Sequence, residues 1–282
     1  VPRSQTAGTD PWNLIWVMPA EGDCSGAQYS RPTGRGGFFI SVDDPSTISV
    51  DVLKSVFFRV LTMRAIIFAN GEFADPQGAR DLLRPGDFII AADGGTRHAL
   101  AADVTPHVVI GDLDSLSPDE QARVETAGSQ IIRFSPRKDE TDLELALLHA
   151  MRQGATEIVI LAALGGRLDQ TIANVLLLSL PELSGLDVRI VGGLQTAFLI
   201  QGGRGELLVE GQPGDTVSLI PLGGDAVGVT AEELEWPLSE DTMRFGPARG
   251  VSNVLTAQIA RVRVRRGLLL CVVTHASKQV CK

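Results

Sequence analysis

The chain has 282 residues, 44% of them hydrophobic and 21% charged, the balance of a globular protein with a substantial core. Its formal charge of −9 argues against a nucleic-acid binder working by broad phosphate neutralisation, yet leaves room for a few placed Lys and Arg residues on a small phosphorylated ligand. No apolar run approaches the ~20 residues of a membrane span, and Cys24, Cys271 and Cys281 lack CxxC spacing, which speaks against a disulfide scaffold or zinc site and for a reducing cytoplasm.

Residues 1–62 are rich in Gly, Pro, Ser and Thr, as in Gly34-Arg-Gly-Gly37 and Asp43-Asp-Pro-Ser46, and lack sustained periodicity. They read as a poorly ordered extension without a role in chemistry, with one short amphipathic helix over 50–61. A signal peptide is a poor fit, because no basic region precedes an apolar one. From Met63 onward apolar strands alternate with helical stretches. Strands are expected at 65–69, 88–92, 108–110, 130–134, 157–161 and 188–191, and helices at 79–83, 96–102, 118–127, 141–153 and 169–180. Alternation of this kind predicts parallel βαβ units, with helices on both faces of the sheet and ligands beyond the carboxyl ends of its strands.

Beyond about residue 196 the helical period stops. Short β-rich runs at 205–209, 216–221, 227–229, 254–264 and 268–273 are punctuated by turn signals such as Gln212-Pro-Gly-Asp215 and Leu222-Gly-Gly-Asp225. The pattern predicts an antiparallel sandwich or barrel. The fold expected is therefore α/β: a Rossmann-like parallel-sheet domain over 63–200, a linker at Gly202-Gly-Arg-Gly205, an all-β sandwich over 205–275 and a tail over 276–282.

Several polar clusters fall at the expected strand ends. Asp112-Leu-Asp114-Ser115 follows the run Val108-Val-Ile-Gly111, and carboxylates bunched there need an offsetting charge such as Mg²⁺. A solvated Asp-rich turn is the competing reading. Asp93-Gly94-Gly95 is a strand-to-helix turn that either admits an anion or is simply tight. In Lys138-Asp-Glu-Thr141-Asp142-Leu-Glu144, Thr141 and Glu144 fit a capping box, which leaves Asp142 free to join the carboxylates and Lys138 to neutralise phosphate. Gly165-Gly166-Arg167-Leu-Asp169-Gln170 opens another helix with an Arg able to clamp phosphate, although Asp169 could be the helix N-cap. In the β-rich half Trp236 reads as a core residue or as a flat face for a heterocycle, beside Gly250-Val-Ser252-Asn253. The Arg261-Val-Arg-Val-Arg-Arg266 run alternates at period two, so its arginines should line a solvated strand face. The four histidines show no ligand spacing and read as structural.

Taken in order, these six motifs resemble the thiamine pyrophosphokinase family over residues 63–274. The resemblance implies an N-terminal α/β catalytic domain and a C-terminal β-sandwich that helps bind thiamine. It implies a homodimer that transfers the pyrophosphoryl group of ATP to the thiamine hydroxyl, giving thiamine diphosphate and AMP, with Mg²⁺. Asp112, Asp114 and Asp142 would hold Mg²⁺, and Lys138 and Arg167 would neutralise charge. Asp93, Gly94, Gly95, Ser115, Gly165, Gly166, Arg167 and Asp169 would meet the nucleotide, and Asp169, Gln170, Trp236, Ser252 and Asn253 the thiamine. Many bacterial relatives carry His where this chain has Gln170, so no general base is assigned there. The rival readings are an Asp-nucleophile phosphohydrolase built on Asp112-Leu-Asp114 and a non-catalytic nucleotide- or thiamine-binding regulator.

Overall fold

The computed structural model describes residues 63–276, together with three short strands nearer the start of the chain. Those strands, β1 (Trp16–Pro19), β2 (Tyr29–Ser30) and β3 (Phe39–Val42), form a sheet in the order β1-β3-β2 within the unit Val1–Leu61. The helix expected over 50–61 and the tail from 277 lie outside the described residues. Among the described residues no helix is long and apolar enough to cross a membrane.

The unit from Thr62 onward is organised by one sheet of 12 strands. Its parallel part runs β9-β8-β4-β5-β6-β7, with β4 (Met63–Phe68), β5 (Phe88–Ala92), β6 (Val108–Gly111), β7 (Gln130–Arg133), β8 (Ala155–Leu161) and β9 (Asp187–Gly192). Ala65, Ile66, Ile67 and Phe68 of β4 are each 0% exposed, as an uninterrupted apolar run covered on both faces should be. Helices α1 (Pro76–Leu82), α2 (Gly95–Ala101) and α3 (Pro118–Thr126) follow β4, β5 and β6. Their buried residues and the facing strands make up one side of the core, Ala79, Ala99, Ile66 and Phe68 in one cluster and Val124, Ala91 and Val109 in another. On the opposite face α4 (Asp142–Arg152) packs on β4, β5, β6 and β8 through Leu143, Ala146, Leu147 and Ala150. The last helix, α5 (Leu168–Leu177), follows β8. Because the chain leaves β4 toward β5 and returns on its other side as β8, the sheet order reverses between β4 and β8, where a ligand crevice is expected.

The capping box expected of Thr141 and Glu144 forms only by half. The Thr141 hydroxyl accepts the Glu144 N–H at 3.2 Å, whereas the reciprocal pair is complete at α3 between Ser117 and Glu120.

The second half is a sandwich, as expected, but the runs expected at 216–221 and 227–229 are one long strand, as are those at 254–264 and 268–273 over most of their length. β10 (Gln195–Gln201), which the pattern did not reveal, pairs antiparallel with β9 and with β15 (Ile259–Thr274), so the parallel sheet runs directly into the β-rich region. β12 (Thr216–Glu232) pairs with β15 along nearly its whole length, and its register shifts between Leu222 and Val227. Leu222-Gly-Gly-Asp225 is therefore a bulge inside one bent strand and not a turn between two. β15 bends at Gly267, where φ is 102° and a Cβ would lie 2.6 Å from the Asp225 carbonyl oxygen. Residues on both sides of the two bends share one core that includes Val217, Leu219, Val229, Met243, Val262, Val264, Leu269 and Val273. The remaining strands, β11 (Glu206–Glu210), β13 (Leu238–Met243) and β14 (Asn253–Val254), pair with β15, β12 and β12.

Gly202–Gly205 is not a loose linker. The Gly202 N–H bonds the Gly267 carbonyl at 2.9 Å and the Gly203 N–H bonds that of Val264 at 3.0 Å. The alternation along β15 is as read from sequence: Ala260, Val262 and Val264 are buried and Arg261, Arg263 and Arg265 exposed. Past the bend one face of β15 joins the sandwich core through Leu269, Cys271 and Val273, while Leu270 reaches the α/β core. Burial raises the Cys271 thiol to about 12, which leaves it an inert packing residue.

Candidate active site

Parallel pairing in register brings the carboxylates together. Ala91 and Ala92 lie opposite Val109 and Ile110, and the Asp93 N–H donates to the Ile110 carbonyl at 2.8 Å. Asp93 thus lands beside Gly111 and the loop Asp112–Ser115. One carboxylate oxygen from each of Asp93, Asp112 and Asp114 lies within 4.8 Å of the others. A side chain at Gly111 would crowd the cluster, because a Cβ would sit 3.0 Å from the Asp93 Cβ and 3.3 Å from an Asp142 carboxylate oxygen. Asp142, at the start of α4, is bonded to Lys138 at 2.5 Å. Burial pushes the Asp142 carboxyl above its usual value; Lys138 acts in the opposite direction, and the charges of Asp93 and Asp112 push it up further.

Asp93 is 6% exposed, and its Oδ1 is buried without a hydrogen-bond partner among the described residues. A desolvated, unpaired carboxylate oxygen beside two further carboxylates lacks a counter-charge, and a hard divalent cation with oxygen ligands meets that need. The donor set fits Mg²⁺. The resemblance implies only a nucleotide contact for Asp93, and its place beside the acidic loop becomes visible only once β5 and β6 are known to be neighbours.

Backbone strain gathers at the same strand ends. Asp93 (φ 44°), Leu113 (φ 65°) and Ala162 (φ 54°) are non-glycine residues in the left-handed region, just past β5, β6 and β8. Arg97 of α2 braces the acidic loop, donating to the Ser115 carbonyl and, at 2.9 Å, to Glu120 of α3.

The cluster opens into a cavity of about 570 Å³ whose lining includes Asp93, Asp112, Lys138, Asp142, Arg167 and Gln170, together with Gly165 and Gly166. It sits at the reversal between β4 and β8. Asn70 and Glu72, from the loop after β4, also line it and were not foreseen; their only signal was an Asn-Gly pair directly after a buried strand. The Arg167 guanidinium is exposed and pairs with Asp169 at 2.5 and 3.1 Å, which holds the Asp169 carboxyl below its usual range. Asp169 is not an N-cap: that position is held by Arg167, without a side-chain bond.

The glycines after β5 serve packing. A Cβ on Gly95 would lie 2.0 Å from the Phe68 carbonyl oxygen, and one on Gly94 would lie 2.4 Å from the Asn70 side chain. The histidines are structural, as expected. His107 Nδ1 accepts the Ile89 N–H at 2.9 Å, His149 stacks on Phe88, and His275 pairs with the buried Asp215 at 2.8 Å.

The remaining residues expected at the site lie on the sandwich. Trp236 is 58% exposed, so it is no core residue. Asn253 is buried, and its amide makes three hydrogen bonds: Oδ1 accepts the N–H groups of Trp236 and Val254 at 3.0 and 2.9 Å, and Nδ2 donates to the Trp236 carbonyl at 2.7 Å. Its structural role is to present Trp236. Ser252, at φ 62°, is exposed and its N–H bonds Ser218 Oγ at 3.1 Å. Replacing Asn253 with alanine should lower unfolding stability by about 3 kcal/mol, near 1 kcal/mol for each lost bond. Urea denaturation measures this, and a loss under about 1 kcal/mol would contradict the clamp.

The family model for the thiamin pyrophosphokinase catalytic domain matches residues 79–190, and that for the thiamin pyrophosphokinase vitamin B1 binding domain matches residues 206–269. The chain belongs to the thiamine pyrophosphokinase family. The thiamine pyrophosphokinase of Bacillus subtilis is 26% identical over 183 residues, which are 65% of this chain and 85% of that protein. Thiamine pyrophosphokinase 1 of Arabidopsis thaliana is 32% identical over 176 residues, 58% of this chain and 64% of that protein. Among solved structures, the Bacillus subtilis thiamine pyrophosphokinase superposes with a TM-score of 0.68 at 25% identity, covering 76% of this chain and 99% of that one. The thiamin pyrophosphokinase of Candida albicans shares the fold, with a TM-score of 0.62 at 18% identity. The first match ends inside β9 and the second begins at the start of β11, so β10 lies between the two within the continuous sheet.

Proposed function

We propose that this chain is a thiamine pyrophosphokinase that transfers the pyrophosphoryl group of ATP to the hydroxyl of thiamine. The observation that carries the reading is the acidic cluster with its orphaned Asp93 oxygen, set at the sheet reversal and faced by Lys138 and the Gly165-Gly166-Arg167 turn. Asp93, Asp112 and Asp114 would hold Mg²⁺, with Asp142 as a fourth carboxylate whose charge Lys138 balances. When bound there, the ion would neutralise and orient the phosphate oxygens of ATP. Lys138 and Arg167 act on the charge that develops as the thiamine oxygen bonds to the β-phosphorus and the bond from that phosphorus to the bridging oxygen of the AMP moiety breaks. Such a displacement depends on positioning and charge neutralisation more than on a nucleophilic side chain. The Gln170 amide cannot take the hydroxyl proton, so no base is assigned to it.

Trp236, held out from the sandwich by Asn253, offers a flat face to the cationic thiazolium of thiamine. It does not line the acidic cavity. We therefore infer a homodimer in which a second copy completes the acceptor site. Leu168, Ile172 and Leu176 support this, forming an exposed apolar stripe along α5 at 73%, 51% and 46% exposure. A cytoplasmic location suits the widely spaced cysteines. Incubating the purified chain with ATP, Mg²⁺ and thiamine tests the reading: it requires AMP and thiamine diphosphate in equal amounts. Phosphate release without AMP would favour the Asp-nucleophile hydrolase, and binding without turnover the regulator.

A further inference from the structure

The second glycine turn already holds an anion from the protein itself. Glu72 Oε1 accepts the Gly166 N–H at 2.9 Å, and a Cβ on Gly165 would lie 2.6 Å from Glu72 Oε2, so the carboxylate rests against both glycines. The backbone that delivers it is fixed. The Gly71 N–H bonds the Ala162 carbonyl at 2.6 Å and the Glu72 N–H that of Leu164 at 2.9 Å. His98 Nε2 lies 3.0 Å from the Gly71 carbonyl oxygen, and its ring packs on Phe73 at 4.9 Å. The Glu72 side chain itself is exposed to solvent. A carboxylate oxygen and a phosphate oxygen seek the same backbone donor, and they repel one another.

We propose that Glu72 is an internal anion that occupies the Gly165-Gly166 turn until a nucleotide phosphate displaces it, and so sets how tightly ATP is held; this rests on the ATP-dependent reading above. The turn keeps its shape and its N–H stays satisfied between turnovers. The same carboxylate, returning to Gly166, favours departure of the phosphorylated products. The opposing account is a plain brace, in which the carboxylate holds the turn in its binding form without competing for it.

Glu72→Gln separates the two accounts, because glutamine keeps the acceptor oxygen and loses the charge. Equilibrium dialysis of ATP with Mg²⁺ and no thiamine gives the affinity without requiring turnover. Displacement predicts that Glu72→Gln binds ATP about three- to tenfold more tightly than the unaltered chain, and that Glu72→Ala also binds more tightly. Unchanged or weaker binding by Glu72→Gln, with a weaker Glu72→Ala, would overturn the proposal in favour of the brace. If the unaltered chain binds ATP but forms no AMP, the functional reading fails while the affinity comparison still decides this inference. Absence of ATP binding in every variant would overturn both.

Discussion

Asp93→Asn is expected to lower pyrophosphoryl transfer by at least about a hundredfold while raising thermal stability in metal-free buffer by a few degrees. The two effects share one cause. Asp93 is buried with an unpaired carboxylate oxygen, beside Asp112 and Asp114 and close enough to Asp142 to raise that carboxyl. Without a cation this is stored repulsion plus desolvation, and an amide removes the charge while keeping the shape. Relief of about 1 kcal/mol corresponds to roughly 2–4 °C in a domain of this size. The activity loss follows because the amide binds a hard cation poorly, and weakened metal support typically lowers affinity or rate by about 10–100-fold even one shell further out. Melting curves with and without Mg²⁺ give a third readout: the unaltered protein should gain stability from the ion and Asp93→Asn should gain little. A variant that lost stability as well as activity would show Asp93 to be a packing residue.

Gly95→Ala is expected to do the opposite, damaging the fold before the chemistry. Its Cβ would lie 2.0 Å from the Phe68 carbonyl oxygen and 2.9 Å from that of Ala69, both backbone atoms of the central strand region. Neither can rotate away, so α2 must lift off β4, and the change should cost about 3 kcal/mol or more. Gly214→Ala is the control, since φ there is 96° but nothing among the described residues lies within 4 Å of the added atom. Backbone strain alone should then cost about 1 kcal/mol. Similar losses at the two positions would contradict the account of close helix-strand approach.

The parallel half was legible because its physics is local. A strand buried on both faces is a short unbroken apolar run, and each helix after it carries its own apolar stripe, so the expected and observed elements differ by only a few residues at their ends. The sandwich half was less legible for an equally physical reason. Gly223 and Gly224 stand inside β12 as a bulge, yet glycine pairs are also what turns are made of, and only the pairing with β15 on both sides distinguishes the two cases. β10 was missed because it joins β9 through the tight Gly193-Leu194 turn, where no loop composition announces a new strand.

At the site, the residue types were readable and their assembly was not. Asp112, Asp114, Lys138 and Arg167 declared themselves by clustering at strand ends. The inclusion of Asp93 among the carboxylates depends on β5 and β6 being adjacent and in register, and the approach of Glu72 to Gly166 on β4 and β8 being neighbours, neither of which local pattern encodes. Asn253 shows the reverse case. Its type suggested a ligand contact, but its burial and its bonds to Trp236 make it the support of the exposed residue beside it.

In the proposed reaction both terminal phosphates of ATP move together onto the acceptor. The most direct measurement runs the reaction with thiamine, Mg²⁺ and ATP labelled separately in the β- or the γ-phosphate. Pyrophosphoryl transfer predicts that both labels appear in thiamine diphosphate, with one AMP formed for each product molecule. Label entering the product only from the γ-position, with ADP as the co-product, would contradict it.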